Sequence, residues 1–343
     1  CYVVYAVTWP LGIVAKSNQA CVTTSATAGW PIEIIGNGEY ISSDLGSDAS
    51  THISYRQADG VHYASNKTGA WTFVLIDGDA GGLGHTAIDI DQSGSVHASY
   101  HDYTSGGVVY TTDSSGTWVR HPVDDSGGWS NSIAVDKAGN VHIAYSGKGS
   151  FTDSEVSYAS NISGAWLVDF VSGFANNIRQ IDIEIDPTGA AHIAYAVGSG
   201  LCAIRYATNM EGGWSDFIID SDALCGVDMA LDSKNVPYLS FMHADTLYTA
   251  TNMNNYWETS IVDRLSWIGG NDVSIDIDNN DKLHISYQGI NKDLKYATNS
   301  SGLWQTLFID SLSDVGSDSS LQTGPENIVE IIYTDDSTGK IKR

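Results

Sequence analysis

The chain has 343 residues, more than a single compact core usually holds, so it should divide into domains or grow by repetition. Its 42% hydrophobic content, with 10 Trp and 18 Tyr, is enough for a packed core and excludes a disordered chain. Forty-one acidic and 16 basic residues give a formal charge of −25, which argues against nucleic acid and anionic membranes as partners.

The N-terminal segment, residues 1–25, contains the most apolar stretch of the sequence. This stretch, 2–15, is short and interrupted by Pro10 and Gly12, so we do not expect it to span a membrane. No basic region precedes it, and we therefore interpret it as mature protein rather than as a signal peptide.

Two markers recur along the rest of the chain. The first is a tetrapeptide such as HISY or HIAY, at 52–55, 97–100, 142–145, 192–195, 238–241, 284–287 and 330–333. The second is a Trp that follows a turn of small residues: Trp30, Trp71, Trp118, Trp166, Trp214, Trp257 and Trp304. The spacing of the tetrapeptides, 45 to 50 residues, indicates a repeat architecture.

Each repeat predicts four short strands. In the stretch 86–123, alternating apolar and polar residues with many β-branched and aromatic side chains are divided by Gly, Ser and Asp. No segment has the pattern of a helix. Four antiparallel strands repeated radially are typical of a propeller, in which each blade covers the face of its neighbour. We predict an all-β, seven-bladed β-propeller over residues 26–343, with eight blades as the alternative.

The hairpin D-x-x-G-x-V-H-I-[SA]-Y resembles the repeats of secreted bacterial β-propellers, loosely similar to sialidase-like (BNR) propellers. The resemblance covers residues 26–343 and implies the fold. It does not extend to activity, because an Asp-box has one residue between Asp and Gly and ends in Trp. Here, the turns from Asp91 to Gly94 and from Asp136 to Gly139 have two intervening residues and end in His. The six arginines also share no register from which a carboxylate-binding cluster could form.

Both termini are expected to close the ring. Six complete units run from about 41 to 310, which leaves one strand at 30–35 and three strands within 319–343 for a seventh blade. Residues 1–25 are then surplus, although 2–7 matches 192–197 and 20–25 can be aligned with a third strand. Three outcomes are open for this segment: an incomplete eighth blade, an extra layer on the seventh, or a strand donated to a neighbouring molecule.

The candidate ligand-binding residues lie on one face of the ring. Loops between strands two and three, and those leading into strand one, share a face on which lengths and residue types vary. The position just before strand one differs in every repeat, and Trp267 is a further Trp in such a loop. The position is occupied by Glu39, Gly84, Trp129, Arg179, Cys225, Asn271 and Ser317. We select Trp129, Trp267, Arg179, Asn271, Ser317 and Glu39 as candidates; the alternative is that both Trp residues only plug the channel mouth.

One position within strand one carries an acid in four repeats: Asp44, Asp89, Glu184 and Asp276. Carboxylates at one level near the axis could hold a cation such as Ca²⁺, since calcium prefers oxygen ligands. The competing interpretation is that these acids are solvated or hydrogen-bonded structural groups. No other cofactor is expected.

Three further features have mainly structural interpretations. The repeat histidines, His52, His97, His142, His192 and His284, are expected to be hydrogen-bonded within their blades, and the seven repeat Trp residues to be core. Asn66, Asn161 and Asn299 begin N-x-[ST] sequons in the turn before strand four, where they serve either glycosylation or the turn itself. Of the three possible cysteine pairings, we favour Cys1–Cys21 with Cys202–Cys225, which would indicate an oxidising compartment.

Together these features predict a secreted or cell-surface, non-catalytic propeller. It would bind a glycan or surface ligand, or act as an adhesin or fibre subunit that self-assembles through residues 1–25. The alternative is a polysaccharide-active enzyme, a glycoside hydrolase or a lyase. A lyase acting on polyuronates would need basic residues that this acidic chain has in small number.

Overall fold

The computed structural model describes the backbone of 5–8 and 12–16, and residues 30–78, 84–147, 154–174, 177–253, 256–265 and 272–343. Within these ranges the chain is a seven-bladed β-propeller of four-stranded antiparallel blades, as predicted. One short 3₁₀ turn, Pro325–Asn327, is the only helical element of the described residues. None of their helical elements is long and apolar enough to cross a membrane.

The strands are named in chain order. Ahead of the first complete blade lie β1 (Tyr5–Thr8), β2 (Gly12–Lys16) and β3 (Ile34–Asn37). Blade one contains β4 (Glu39–Leu45), β5 (Thr51–Gln57), β6 (Gly60–Ser65) and β7 (Thr72–Asp77). Blade two contains β8 (Thr86–Ile90), β9 (Val96–Asp102), β10 (Gly107–Thr112) and β11 (Val119–Asp124). Blade three contains β12 (Asn131–Val135), β13 (Val141–Ser146), β14 (Ser154–Ser160) and β15 (Leu167–Phe174).

Blade four contains β16 (Ile178–Ile185), β17 (Ala191–Gly198), β18 (Cys202–Thr208) and β19 (Ser215–Ala223). Blade five contains β20 (Val227–Leu231), β21 (Pro237–His243), β22 (Thr246–Thr251) and β23 (Glu258–Arg264). Blade six contains β24 (Val273–Ile277), β25 (Leu283–Gln288), β26 (Leu294–Thr298) and β27 (Gln305–Asp310). Blade seven contains β28 (Val315–Thr323), β29 (Val329–Asp335) and β30 (Lys340–Lys342), followed by β3.

The two ends of the chain complete blade seven together. Strand β3 pairs antiparallel with β30, and Glu33 and Arg343 exchange both of their backbone hydrogen bonds at 2.8 Å. The N-terminal strand of this blade therefore lies at Ile34–Asn37, a few residues beyond the predicted 30–35. The sequence placed it too early because it took Trp30 as the start of the strand, whereas residues 30–33 precede the strand.

The N-terminal segment differs in part from its expected form. Strand β1 pairs with β2 in a sheet of two strands, whereas the sequence suggested a strand over 2–7 that matches strand two of a blade. Residues 20–25 lie outside the described ranges. The division between a segment of 1–25 and a propeller of 26–343 stays a prediction.

The core lies between blades. First strands contact one another around the axis, from β4 through β28 and back to β4. Second strands are buried on both faces, as in Val96–Asp102, because a neighbouring blade covers each side. One apolar cluster combines Tyr158 of blade three with Ile181 and Ile193 of blade four. Each blade is therefore stabilised by its neighbours, which is the basis of repeat architectures.

Candidate functional site

Chain direction gives the ring two faces. The chain enters each first strand on the face that we call the loop face, which also carries the loops between strands two and three. It turns from strand one to strand two, and from strand three to strand four, on the opposite face, the turn face. Repeated side chains gather on the turn face, and the variable ones on the loop face.

On the turn face, the repeat histidines are structural, as predicted. Nδ1 of each His lies 2.5–2.7 Å from the hydroxyl of a Tyr on strand three. The pairs are His52–Tyr63, His97–Tyr110, His142–Tyr158, His192–Tyr206 and His284–Tyr296. Burial lowers the pKa of all five, that of His52 to about 4, so these imidazoles are neutral at pH 7.

The repeat Trp residues pack between neighbouring blades. Trp118, Trp166 and Trp214 pack edge-on against Tyr63, Tyr110 and Tyr158 of the preceding blade, with ring centroids 5.2–5.4 Å apart. All seven Trp residues are half-buried. The prediction that they are core is thus refined: they lie at the rim of each blade interface.

The Asn residues of the three sequons serve the turn in which they lie. The side-chain oxygen of Asn66, Asn161 and Asn299 accepts the first backbone N–H of strand two at 2.8–2.9 Å. Asn209 and Asp113 make the same contact without belonging to a sequon. The turn interpretation accounts for these contacts, and glycosylation stays a prediction.

Along the axis runs a cavity of about 260 Å³ lined by the first strands. The four acids predicted at this position, Asp44, Asp89, Glu184 and Asp276, all line it. Four further carboxylates join them: Asp182, Asp228, Asp272 and Asp318. The sequence analysis missed these because each lies two or four residues before the predicted position, in only two of the seven blades. The period-two rule for strands could have found them, since alternate residues share a face.

Most of these carboxylates form hydrogen bonds with the first strand of the next blade. Each first strand is the inner edge of its sheet, so backbone N–H groups on it have no partner within the blade. Asp44 accepts the N–H of Ile90 at 2.8 Å, and Asp228 that of Ile275 at 2.8 Å. Five more contacts of this kind carry the pattern around the ring: Asp89–Val135, Asp182–Met229, Asp272–Ser319, Asp276–Thr323 and Asp318–Ile41.

The carboxyl groups of the axial cavity have shifted pKa values. Burial raises the pKa of all eight, to about 6 for Asp89 and Asp276 and to about 7 for Asp318. No set of three or more His, Cys, Asp or Glu within the described ranges is arranged to hold a metal ion. The hydrogen-bonded interpretation accounts for seven of the eight, and calcium binding stays a prediction.

Four of the ligand-binding candidates lie at the start of first strands on the loop face. Glu39, Arg179 and Ser317 are exposed, and Ser317 donates a hydrogen bond to Asp336. Trp129 keeps 41% of its surface exposed. These residues belong to four different blades, and none of them lines the axial cavity, so they do not form one pocket. Trp267 and Asn271 lie outside the described residues.

Trp129 is part of an aromatic platform, a name we use for Trp129, His101 and Tyr103. The ring of His101 stacks under Trp129 at 4.8 Å and 23°, and Tyr103 meets Trp129 edge-on at 5.9 Å and 87°. Tyr103 is 57% exposed, while His101 is buried and its Nδ1 lies 2.8 Å from the carbonyl of Gly127. Burial lowers the pKa of His101, so the ring under Trp129 is neutral. Sequence analysis missed His101 and Tyr103 because they lie at and just beyond the end of strand two rather than before strand one.

The platform continues toward the channel. His85 donates its backbone N–H to the carbonyl of Trp129 at 3.3 Å, and its ring meets Tyr40 edge-on at 5.6 Å. Since His85 also lines the axial cavity, its backbone hydrogen bond to Trp129 connects the platform with the wall of the channel. In the other described blades, this register carries Glu39, Gly84, Arg179, Cys225 and Ser317. The platform is therefore a feature of one blade junction and not of the repeat.

The disulfide predicted between Cys202 and Cys225 is formed, and it joins blade four to the segment that leads into blade five. Both residues are buried. Cys1 and Cys21 lie outside the described residues.

Fold and site together define a closed propeller with a repetitive turn face and, among the described residues, one aromatic platform on its loop face. No protein-family model and no curated protein sequence matches the chain. Its fold is similar to that of several solved propellers. The lectin of Aleuria aurantia, a six-bladed propeller studied for fucose recognition, has a TM-score of 0.55, with 14% identity over 80% of this chain and 98% of that one. An ulvan lyase, a polysaccharide lyase, has a TM-score of 0.58, with 11% identity over 90% and 93%. A mutant of AofleA from Arthrobotrys oligospora has a TM-score of 0.56, with 12% identity over 82% and 89%. At these identities the likeness establishes the propeller fold.

Proposed function

We propose that this protein is an extracellular, non-catalytic propeller that binds a glycan or a glycan-bearing surface through the platform of Trp129, His101 and Tyr103. The observation that carries the proposal is the exposure of Trp129 and Tyr103 on a rigid support. Exposed aromatic rings offer apolar faces on which the C–H groups of a pyranose stack, and the burial of His101 fixes the orientation of the Trp ring. Glu39 and Arg179, at the start of the adjoining blades one and four, would supply polar contacts, and Ser317, Trp267 and Asn271 stay candidates from the sequence.

Two further observations support this function. Solved propellers of similar fold include a fucose-recognising lectin and a polysaccharide lyase, which both handle carbohydrate. The Cys202–Cys225 disulfide suits an oxidising, extracellular compartment.

The direct test is a glycan array probed with the wild-type protein and with Trp129→Ala. We expect a restricted set of glycans to bind, with quenching of Trp fluorescence, and binding at least tenfold weaker in the variant. Tyr256→Ala, which removes an exposed aromatic ring in blade five, is the matched control and should bind as wild type does. Equal binding by wild type and Trp129→Ala would place the site elsewhere.

A polysaccharide-active enzyme is the second candidate, and the carboxyl groups of raised pKa in the axial cavity favour it. A glycosidase needs one carboxyl group that stays protonated near neutral pH as general acid. Asp318, with a pKa of about 7, meets that requirement at the loop-face end of the cavity. A reducing-sugar assay on every glycan that binds separates the two functions, since a binding module releases no sugar.

The adhesin or fibre role through residues 1–25 stays a prediction of the sequence. A strand-like segment with no place in the ring would add to the edge of a neighbouring molecule, and a head-to-tail contact of that kind builds filaments. Light scattering of the full chain and of a chain that starts at Ala26 tests this. We expect larger particles for the full chain only, and a monomeric full chain at high concentration would contradict self-assembly.

A further inference from the structure

One polar contact recurs between neighbouring blades. A Tyr on strand two donates its hydroxyl to an Asp at the end of strand four in the preceding blade, at 2.6–3.0 Å. The pairs are Tyr100–Asp77, Tyr145–Asp124, Tyr287–Asp263 and Tyr333–Asp310. In the last two a lysine also contacts the Asp: Lys295 reaches Asp263, and Lys342 lies 3.0 Å from Asp310.

The junction between blades seven and one lacks the carboxylate. In blade one, Val61 pairs with Asp77 and His62 with Leu75, with Ile76 bulged between them. In blade seven, Ile341 pairs with Gly36 and Lys342 with Ile34, with Ile35 bulged in the same way. Gly36 therefore holds the position of the Asp. A Cβ placed on it would contact Phe73 at an ordinary 3.5 Å, so there is room for a larger group.

Tyr55, the blade-one member of the repeated Tyr set, faces this gap without a partner. It is 2% exposed, and no described residue makes a hydrogen bond with its hydroxyl. Burial raises the pKa of Tyr55 to about 12, so the hydroxyl is a proton donor at neutral pH. His62 stacks on its ring at 5.4 Å and occupies the position that Lys295 and Lys342 hold in blades six and seven. Its Nε2 lies 2.8 Å from a carboxylate oxygen of the exposed Asp59.

The gap opens into a groove of about 500 Å³ with a mixed polar and apolar lining. Its polar lining residues are Asn37, Tyr55, Gln57 and His62, and its apolar ones are Ile35, Phe73, Val74 and Leu75. Phe73 and Leu75 are about half-exposed. Residues 1–29 contain no Asp or Glu, so that part of the sequence offers no carboxylate side chain.

We propose that this groove is a second binding site, which takes a carboxylate carried on a small apolar body. The carboxylate would occupy the position of the missing Asp and accept a hydrogen bond from the hydroxyl of Tyr55. The ring of His62 would lie beside the carboxylate, at the position that Lys295 and Lys342 hold elsewhere, and the apolar body would lie against Phe73 and Leu75. The same chemistry is offered by a free organic acid or by an acidic residue of a peptide.

Calorimetric titration of the full-length protein with benzoate tests the site, with benzyl alcohol as the uncharged analogue. We expect saturable binding of benzoate, and binding of benzyl alcohol at least tenfold weaker because it cannot replace the Asp. A tripeptide with Asp between two Phe residues distinguishes the sources: tighter binding than benzoate indicates a peptide, and weaker binding a free acid.

Two substitutions make the test specific. Tyr55→Phe removes the donor and should weaken benzoate binding about tenfold or more. Gly36→Asp supplies the missing carboxylate from the chain and should abolish binding while raising Tm. Tyr333→Phe, made where Asp310 fills the junction, is the matched control and should lower stability but not benzoate binding.

Unchanged benzoate affinity in Gly36→Asp, or no benzoate binding by the wild-type protein, would overturn the proposal. Trp129→Ala should bind benzoate as wild type does, because the platform lies at another junction. The two sites can therefore fail independently.

Discussion

The turn face and the loop face of the ring follow opposite rules. On the turn face, the same contact between His and Tyr recurs in five blades, and the same Asn or Asp cap holds the start of strand two in five. On the loop face, the platform of Trp129 occurs once among the described blades. Requirements of the fold apply to every blade, so a contact that recurs is structural. A feature that occurs once is free to serve a ligand.

The largest effect is expected from breaking the closure that all blades share. Deletion of 330–343 removes most of β29 and all of β30, opens a sheet edge and uncovers the faces of two blades. We expect loss of the cooperative thermal transition in circular dichroism. Arg343→Ala, which removes only the ion pairs of that side chain with Glu330 and Glu33, is the control and should keep the transition. A native-like transition after the deletion would show that the termini do not hold the ring together.

A smaller loss of stability should distinguish a Trp at a blade interface from the exposed Trp of the platform. Trp166 packs against Tyr110 across a blade interface, so Trp166→Ala should lower the free energy of unfolding by about 3 kcal/mol, measured by denaturant titration. Trp129→Ala should cost less than about 1 kcal/mol, since much of that side chain is already exposed. Equal costs would mean that Trp129 is packing and that the platform is not a site.

A buried His on the turn face and a buried Asp in the axial cavity should make stability depend on pH in opposite directions. The pKa of Asp318 is raised to about 7, so its contribution to stability is greatest at low pH and is lost as pH rises from about 4 to 7. The pKa of His52 is lowered to about 4, so its contribution is present above pH 6.5 and is lost as pH falls to about 4.

Unfolding titrations of Asp318→Asn and His52→Gln from about pH 4.5 to 8 test these signs. Relative to wild type, Asp318→Asn should gain stability as pH rises, and His52→Gln should gain as pH falls. Parallel curves for the two variants would refute the assigned environments.

The smallest effect comes from one defect in the repeated Asn cap. In blade five, Pro237 stands where the other blades offer an N–H, and the buried oxygen of Asn252 receives no hydrogen bond from a described residue. Pro237→Ala should restore the bond and raise the free energy of unfolding by about 0.5 kcal/mol, net of the entropy that proline removes from the unfolded chain. The reverse change in blade four, Ala191→Pro, should cost more than that. Destabilisation by Pro237→Ala would contradict the cap.

The sequence predicts what recurs, and of the features that occur once it identifies Trp129 and the Cys202–Cys225 disulfide but not the residues around Trp129. Seven blades, the closure by both termini and the role of the histidines follow from positions that repeat at a fixed spacing. The sequence analysis missed Asp182 and Asp228 because their shared position in strand one carries an acid in these two blades only. The other blades have serine or alanine at this position. Tyr103 and the gap at Gly36 depend on loop geometry and on a bulge, which one-dimensional periodicity does not encode.

The most direct measurement of the central claim is the number of ligands that one ring binds. Native mass spectrometry of the wild-type protein, with the strongest glycan from the array in excess, counts them. If the variable loop face carries the function, one glycan should bind per chain, and Trp129→Ala should bind none. Several equivalent glycans per ring that survive Trp129→Ala would place binding in the repeated part of the blades and contradict the account.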